Sequence, residues 1–355
     1  MSRARVLVVD DSVVIRKVVS DCLGADPEIE VVGIAANGRI ALAKLAHVAV
    51  DVIVLDVEMP EMDGLEVLRE LRHRPSPPRV IMFSSHTTEQ AKATVEALAL
   101  GAADCVAKPS SLAGSAAAQS AALQGLVERV RALGQPRRSI VRAPSPSEPR
   151  ALATPAVSPA RPLEVVAIGA STGGPNALCQ LFASLPGNFP VPIVLVQHMP
   201  AGFTKPFAER LTRESKLVVE EGYEGGKLSA GRAWLAPGGR HMVVRRTAAG
   251  LQLHLQDSPP VWSCRPAVDV LFQSVVETCG RGTLGVVMTG MGEDGKLGAL
   301  AIRRAGGAVI VQDEQSSVVW GMAGAVANAG LAEAILPLDQ LAEAIVRRVR
   351  SKESA

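Results

Sequence analysis

Five short, mostly apolar runs recur at 20–30-residue spacing near the start of this 355-residue chain: "RVLVVD", "EVVGIA", "DVIVLD", "RVIMFS" and "DCVAKP". Each is too short for a helix and too apolar to leave one face in water. Between them lie stretches with apolar residues at helical spacing, such as "VVIRKVVSDCL" and "EQAKATVEALAL". Strands buried on both faces, each separated from the next by a helix, make a parallel sheet wrapped by helices on either side. A further stretch, "QSAALQGLVERVRAL", reads as a fifth helix.

The composition then changes. Residues 134–162 hold seven prolines, five arginines and few large apolar side chains, which suits an extended spacer and not a core. From 163 a second α/β pattern begins. "EVVAIGA", "VPIVLVQHM", "LGVVMTGM", "AVIVQD" and "EAILPL" read as buried strands, with helices such as "TKPFAERLTRE" and "AVDVLFQSVVETC" between them. The middle differs: "GRAWLAPGGRHMVVRR" and "GLQLHLQD" read as antiparallel strands with Gly/Pro turns. The expected fold is therefore α/β in two domains. The first is a flavodoxin-like five-stranded parallel sheet. The second is a doubly wound, mostly parallel sheet with an antiparallel hairpin insert. The expected division is 1–120, a joining segment 121–162, and 163–350.

Hydrophobic residues are 48% and charged residues 20%, which excludes a disordered chain; a net charge of +2 gives no field for nucleic acid. No apolar stretch reaches the roughly 18–20 residues that a membrane span needs. Asp10 and Asp11 interrupt the first apolar run too early for a secretory leader. Cys22, Cys105, Cys179, Cys264 and Cys279 are odd in number and lack any C-x-x-C spacing. They read as reduced cysteines of a cytoplasmic protein, each a small buried hydrophobe.

In an open parallel sheet, ligands bind beyond the carboxyl ends of the strands. In the first domain those ends carry Asp10, Asp11, Asp56, Ser84 and Lys108. Three clustered carboxylates repel one another unless a cation joins them, and oxygen ligands of this kind suit Mg²⁺. With Lys108 added, the place suits a dianionic phosphoryl group, and Asp56 can attack a phosphodonor to become an acyl phosphate. "VVDDS", "LDVEMP" with "MDGLE", "FSS" and "GAADCVAKP" resemble the motifs of response-regulator receiver domains. The resemblance implies Asp56 as phosphoacceptor and Asp10, Asp11, Asp56 and the main-chain carbonyl of Glu58 as Mg²⁺ ligands. It implies Ser84 and Lys108 as phosphoryl-binding groups, with a cis Lys108–Pro109 bond. Cys105 departs from the pattern, standing where receivers usually carry an aromatic residue.

In the second domain, "GASTGGP" follows a buried run and opens a helix. A dinucleotide site would want G-x-G-x-x-G and an acidic residue closing the next strand; here the glycines are 169, 173 and 174, and that strand closes in Gln197-His198. Gly169-Ala170-Ser171-Thr172-Gly173 instead fits a nucleophile elbow, where small neighbours permit a sharp turn and the helix N-terminus supplies N–H groups for an oxyanion. Standing alone, the serine could equally be an N-cap. His198, at the end of the next strand, is the best-placed base. His241 and His254 fall in the hairpin and read as surface residues. Asp294, in "MTGMGEDG", could cap the helix after it, orient His198, or both, with Glu293 as second choice.

"IGASTGGP", "VQHMP", "WLAPGGRH", "RPAVDVLF" and "VVMTGMGEDG" resemble the catalytic domain of chemotaxis protein-glutamate methylesterases, and the receiver–linker–catalytic order resembles the whole family architecture. The resemblance implies Ser171, His198 and Asp294 as the triad, Thr172 and Met291 at the oxyanion site, and a cleft lined by residues 263–269 with Arg265 on the substrate side. It implies a phosphorylation-activated serine hydrolase, with the receiver covering the crevice until Asp56 is phosphorylated. Such an enzyme demethylates glutamyl methyl esters and deamidates glutamines on methyl-accepting chemoreceptors, takes its phosphoryl group from a sensor histidine kinase, and needs no cofactor for the ester step. The alternatives are a non-enzymatic receiver-linked adaptor and a nucleotide-dependent oxidoreductase.

Overall fold

The computed structural model describes residues 3–85, 87–108, 116–135 and 162–350. Most of the proline-rich segment, and Pro109 with its peptide bond to Lys108, lie outside them.

The first unit alternates strand and helix throughout: β1 (Ala4–Val9), α1 (Val13–Gly24), β2 (Ile29–Ala35), α2 (Gly38–Lys44), β3 (Val52–Leu55), α3 (Gly64–Leu71), β4 (Arg79–Ser84), α4 (Thr88–Ala99), β5 (Asp104–Ala107) and α5 (Ala116–Gly134). Its strands pair in parallel in the order β2-β1-β3-β4-β5. The chain reverses direction across the sheet between β1 and β3, so a crevice opens where Asp10, Asp11 and Asp56 follow their strands. Ser12, Asn37, Asp63 and Thr87 each accept a backbone N–H three residues on, which fixes where α1 to α4 begin. Asp63 and Glu66 form a reciprocal capping box at α3.

The second unit continues with β6 (Val165–Ala170), α6 (Gly174–Ser184), β7 (Ile193–Gln197), α7 (Thr204–Glu214), β8 (Val218–Glu221), β9 (Arg232–Leu235), β10 (His241–Thr247), β11 (Gly250–Gln256), α8 (Val268–Cys279), β12 (Thr283–Val287), α9 (Lys296–Arg304), β13 (Ala308–Gln312), α10 (Met322–Asn328), β14 (Ala334–Leu336) and α11 (Leu338–Arg350). Seven strands form one parallel sheet, β14-β13-β12-β6-β7-β9-β8, and β10-β11 form a separate antiparallel ribbon. The switch point lies between β6 and β12. Every residue of β6, β7 and β12 is buried, as strands covered by helices on both faces must be.

The hairpin differs from expectation at one end. "RAWL" is not part of it: β9 lies inside the parallel sheet, between β7 and β8. Its Ala233, Trp234 and Leu235 are buried, so it needs neighbours on both sides. Pro237, Gly238 and Gly239 then break the chain before the ribbon starts.

The two units touch. Ala91, Val95, Leu98 and Ala102 of the first unit share one hydrophobic cluster with Phe203 and Phe207 of the second. Arg79 Nη1 donates to Val318 O at 3.2 Å, and Asn176 Nδ2 donates to Ala102 O at 3.2 Å. Among the described residues, no helix is long and apolar enough to cross a membrane.

Gly64 tests how tightly the Asp56 loop is packed. A Cβ there would sit 2.2 Å from the Asp56 carbonyl oxygen, a backbone atom that cannot move aside cheaply. Gly64→Ala should destabilise the chain by about 1–3 kcal/mol in urea titrations. Gly24→Ala, with nothing within 4 Å of its Cβ, should cost nothing. Equal stability of the two variants would contradict this packing.

Candidate active site

The second crevice is built from three strand ends. Ser171 follows β6, His198 follows β7, and Asp294 lies in the loop after β12. Ala170 pairs with Gln197, so Ser171 and His198 leave adjacent strands at the same level. His198 N donates to Ala170 O at 3.1 Å, and Gln197 Nε2 donates to both Ser171 O (2.9 Å) and His198 O (3.2 Å). The elbow turns at Gly173, whose φ of +78° a side chain would resist; a Cβ there would also lie 2.5 Å from Val318 Cβ.

Asp294 binds His198, as the spacing of "GEDG" allowed, but it does not cap the helix that follows it. His198 Nε2 donates to its Oδ2 at 2.8 Å. Its other bonds go to the N-terminus of α8, from Val268 N to Oδ2 (2.7 Å) and Asp269 N to Oδ1 (2.8 Å). Asp269 returns the bond, accepting Gly298 N of α9 at 2.7 Å. The two helices therefore exchange caps, and that exchange clamps the carboxylate facing the imidazole. Glu293, the other candidate, is exposed and pairs with Lys296 at 2.9 Å. Burial, the largest single influence, would loosen the proton on His198; the bonds and charges of Asp294 and Cys264 together outweigh it, and the imidazole's pKa is raised above the ordinary histidine value.

The Ser171–His198 hydrogen bond is not made in this state. With Nε2 committed to Asp294, only Nδ1 can reach a nucleophile, and Nδ1 faces Cys264 Sγ at 3.5 Å. Among the described residues, Ser171 Oγ has no hydrogen-bond partner. Ser171 is only 5% exposed, and the first unit contacts the two residues that follow it. Asp104, at the start of β5, accepts Thr172 Oγ1 on Oδ2 at 2.6 Å, and Ala103 O accepts Gly173 N at 3.1 Å. Asp104 Oδ2 also accepts Arg129 Nε of α5 at 3.0 Å. Donors at the elbow are thus already occupied by receiver-side oxygens.

Other expected residues are placed as follows. Met291 is half-buried beside Gly290, at which a Cβ would fall 2.8 Å from Ser171 Cβ. Arg265 is tied to the carbonyls of Asp257 (3.1 Å) and Ser258 (3.2 Å) and precedes a cis Pro266. His241 is fully buried, a correction to the surface reading. It opens β10 against α8, accepting Ala267 N at 3.2 Å and bonding Pro259 O at 3.1 Å, and so braces the 259–267 segment. His254 is half-buried and pairs with Glu224 at 2.7 Å.

In the first crevice, Asp10, Asp11 and Asp56 each present an oxygen within 4.8 Å of the others. Lys108 Nζ lies 2.7 Å from Asp10 Oδ2 and 2.6 Å from Asp56 Oδ2. Three clustered carboxylates thus share a single ammonium, and hard oxygen donors left with excess negative charge are what a hard divalent cation satisfies. The all-oxygen set therefore fits Mg²⁺. Burial pushes Asp56 up to about 6 against the pull of Lys108. Ser84 is buried, its Oγ bonded to Thr94 Oγ1 at 2.7 Å and not free for a ligand. Glu58 is exposed, and its carboxylate accepts Gln90 Nε2 at 2.7 Å. Cys105 is buried in the core of β5, where no aromatic switch can operate.

Together these features define a class: a receiver coupled to a doubly wound α/β domain with serine, histidine and aspartate gathered at its switch point. Residues 6–117 match the response regulator receiver domain, and residues 166–345 match the CheB methylesterase family. The chain is 46% identical over 98% of its length to the whole of a protein-glutamate methylesterase/protein-glutamine glutaminase of Trichodesmium erythraeum. It is 47% identical, again over 98% of its length, to 96% of one from a Nocardioides species. The crystal structure of the Thermotoga maritima CheB methylesterase catalytic domain matches with a TM-score of 0.51 and 39% identity, covering 52% of this chain and 97% of that one. The chain belongs to the CheB methylesterase family.

Asp294→Asn tests the imidazole–carboxylate contact. The carboxylate favours imidazolium and a neutral amide does not, so the titration midpoint of His198, followed by imidazole ¹⁵N NMR, should fall by about one unit or more. An unchanged midpoint would contradict the account.

Proposed function

We propose that this chain is a cytoplasmic, phosphorylation-controlled methylesterase that hydrolyses glutamyl methyl esters on methyl-accepting chemoreceptors, and deamidates glutamines there. Residues 163–350 do the chemistry, 1–120 supply the switch, and 121–162 join them. The observation that carries the reading is the bond from His198 Nε2 to Asp294 at 2.8 Å, on a histidine one strand away from Ser171. That bond selects the tautomer whose free nitrogen, Nδ1, faces the cleft.

Ser171 Oγ takes the place of the Cys264 sulfur at Nδ1, gives up its proton there and attacks the ester carbonyl. The oxyanion is received at the start of α6, by donors of the Thr172–Gly173 turn and by the Met291 segment. His198 passes the proton to methoxide, which leaves as methanol. A water, deprotonated by His198, then cleaves the acyl-enzyme to a glutamate carboxylate. Arg265 acts by holding the 263–269 cleft segment in place. With a glutamine substrate the leaving group is ammonia.

In the resting state the Thr172 hydroxyl and the Gly173 N–H are held by Asp104 and Ala103. Phosphorylation of Asp56 by a sensor histidine kinase releases them. Asp10, Asp11, Asp56 and the Glu58 carbonyl would hold Mg²⁺, which would supply positive charge against the incoming phosphoryl group. Lys108 exchanges its carboxylate partners for the phosphoryl group, and Ser84 rotates from Thr94 toward it. Lys108 sits at the far end of β5 from Asp104, about 13 Å along one strand, so a pull on one end moves the other. The ester step needs no cofactor.

The test is methanol release from membranes carrying methylated receptors, with and without a small phosphodonor. Ser171→Ala should lose at least about 10³-fold in rate while Asp56 still takes up phosphate. Asp56→Asn should keep the basal rate and lose the stimulation. Retained hydrolysis in the first variant, or retained stimulation in the second, refutes the corresponding assignment.

A further inference from the structure

Cys264, His198 and Asp294 form a continuous thiol–imidazole–carboxylate line, with Sγ 3.5 Å from Nδ1 and Nε2 2.8 Å from Oδ2. This is the arrangement that activates a nucleophile, and sulfur occupies its nucleophile position. The position is built by its surroundings. Cys264 ends a tight turn closed at both edges, from Val261 N to Cys264 O (3.0 Å) and from Cys264 N to Val261 O (2.9 Å). Its central residues, Trp262 and Ser263, hold φ of 52° and 59°, left-handed backbone that a side-chain-bearing residue adopts only at a cost. Trp262 Nε1 donates to Asp269 Oδ2 at 2.8 Å, which ties the turn to α8 and its exchanged caps.

The electrical setting is also particular to this thiol. The Arg129 guanidinium of α5 acts on Asp104 first, and on Cys105 and Cys264 as well. A thiolate here would face an imidazolium on one side and a guanidinium nearby, the kind of setting that makes a cysteine reactive. Among the described residues, none of the other four cysteines has an imidazole against its sulfur, although Arg129, Arg210 and Arg246 act on Cys105, Cys179 and Cys279. Cys105, Cys179 and Cys279 are buried, and burial pushes their thiols up. Cys22 is half-buried on α1, and burial raises its thiol. Cys264 is half-buried at the cleft.

We propose that Cys264 is a modification site: an imidazole-activated thiol, open to small soft electrophiles, whose modification denies His198 to Ser171. With iodoacetamide, the thiol proton passes to Nδ1 and the sulfur attacks the methylene carbon. The C–S bond forms as the C–I bond breaks, and iodide leaves. The bulk left on sulfur stays against Nδ1, where the Ser171 hydroxyl must come. This consequence rests on the proposed role of His198; the reactivity of the thiol does not.

The test is alkylation of the full-length protein by iodoacetamide at pH 7, followed site by site by peptide mass spectrometry. Cys264 should react at least about tenfold faster than Cys22, the half-buried reference within the same chain. His198→Gln, with its fold checked by circular dichroism, should remove most of that advantage. Stoichiometric alkylation of Cys264 should also stop methanol release, and in Cys264→Ser treated and untreated protein should release methanol equally. A Cys264 rate no greater than that of Cys22 overturns the proposal without need of any variant. So does a rate indifferent to His198→Gln, or methanol release that survives full alkylation. Should Ser171→Ala retain hydrolysis, the nucleophile assignment fails while the contrast between the two cysteines still stands.

Discussion

The second domain's chemistry depends on where one carboxylate is held. Asp294 accepts three donors: an imidazole N–H and two N–H groups from the first turn of α8. A carboxylate 2% exposed is expensive to bury unless its oxygens are satisfied, and hydrogen bonds to charged groups are each worth about 1.5–3 kcal/mol. Here the backbone of a neighbouring helix shares the task, and Asp269 fastens that helix to α9 in return. The position of the acceptor is thereby set by the packing of two helices. The tautomer of His198, and so the nitrogen offered to the cleft, follows from that position.

In the proposed control, the first domain acts on this site through a strand. β5 carries Asp104 at one end and is followed at the other by Lys108. Asp104 holds Thr172 while Arg129 compensates its charge; Lys108 binds Asp10 and Asp56. Both ends are therefore ionic and buried or partly buried, where a change of partner costs far more than at a surface. In the proposed control, a phosphoryl group on Asp56 would rearrange one end. The short, fully buried strand between them has few ways to absorb the change locally.

Much of the fold was legible because buried parallel strands leave so plain a pattern. The strands of both sheets' centres were readable, as was the convergence of His198 and Asp294 at the strand ends near Ser171, since switch-point geometry converts strand order into a list of neighbouring residues. β9 was misplaced into the hairpin because "RAWL" lies beside turn residues, and only burial on both faces tells a central strand from a ribbon strand. β8, whose "VVEE" mixes apolar and acidic residues at a sheet edge, and the short α10 gave weaker signals still. His241 looked superficial because ribbons usually have a wet face; its packing on α8 is tertiary and leaves no local trace. The exchanged caps of Asp294 and Asp269 and the contact from Asp104 to Thr172 join residues far apart in the chain. Cys264 was taken for a small hydrophobe because a cysteine without a partner at fixed spacing announces nothing.

Reactivity of residue 171 toward a fluorophosphonate, followed in the intact chain with and without Mg²⁺ and a small phosphodonor, bears on the central claim most directly. The account predicts adduct formation at Ser171, slow at rest and at least about tenfold faster once Asp56 is phosphorylated, as β5 withdraws from the elbow. An adduct at another residue, or a rate at Ser171 indifferent to the phosphodonor, would contradict it.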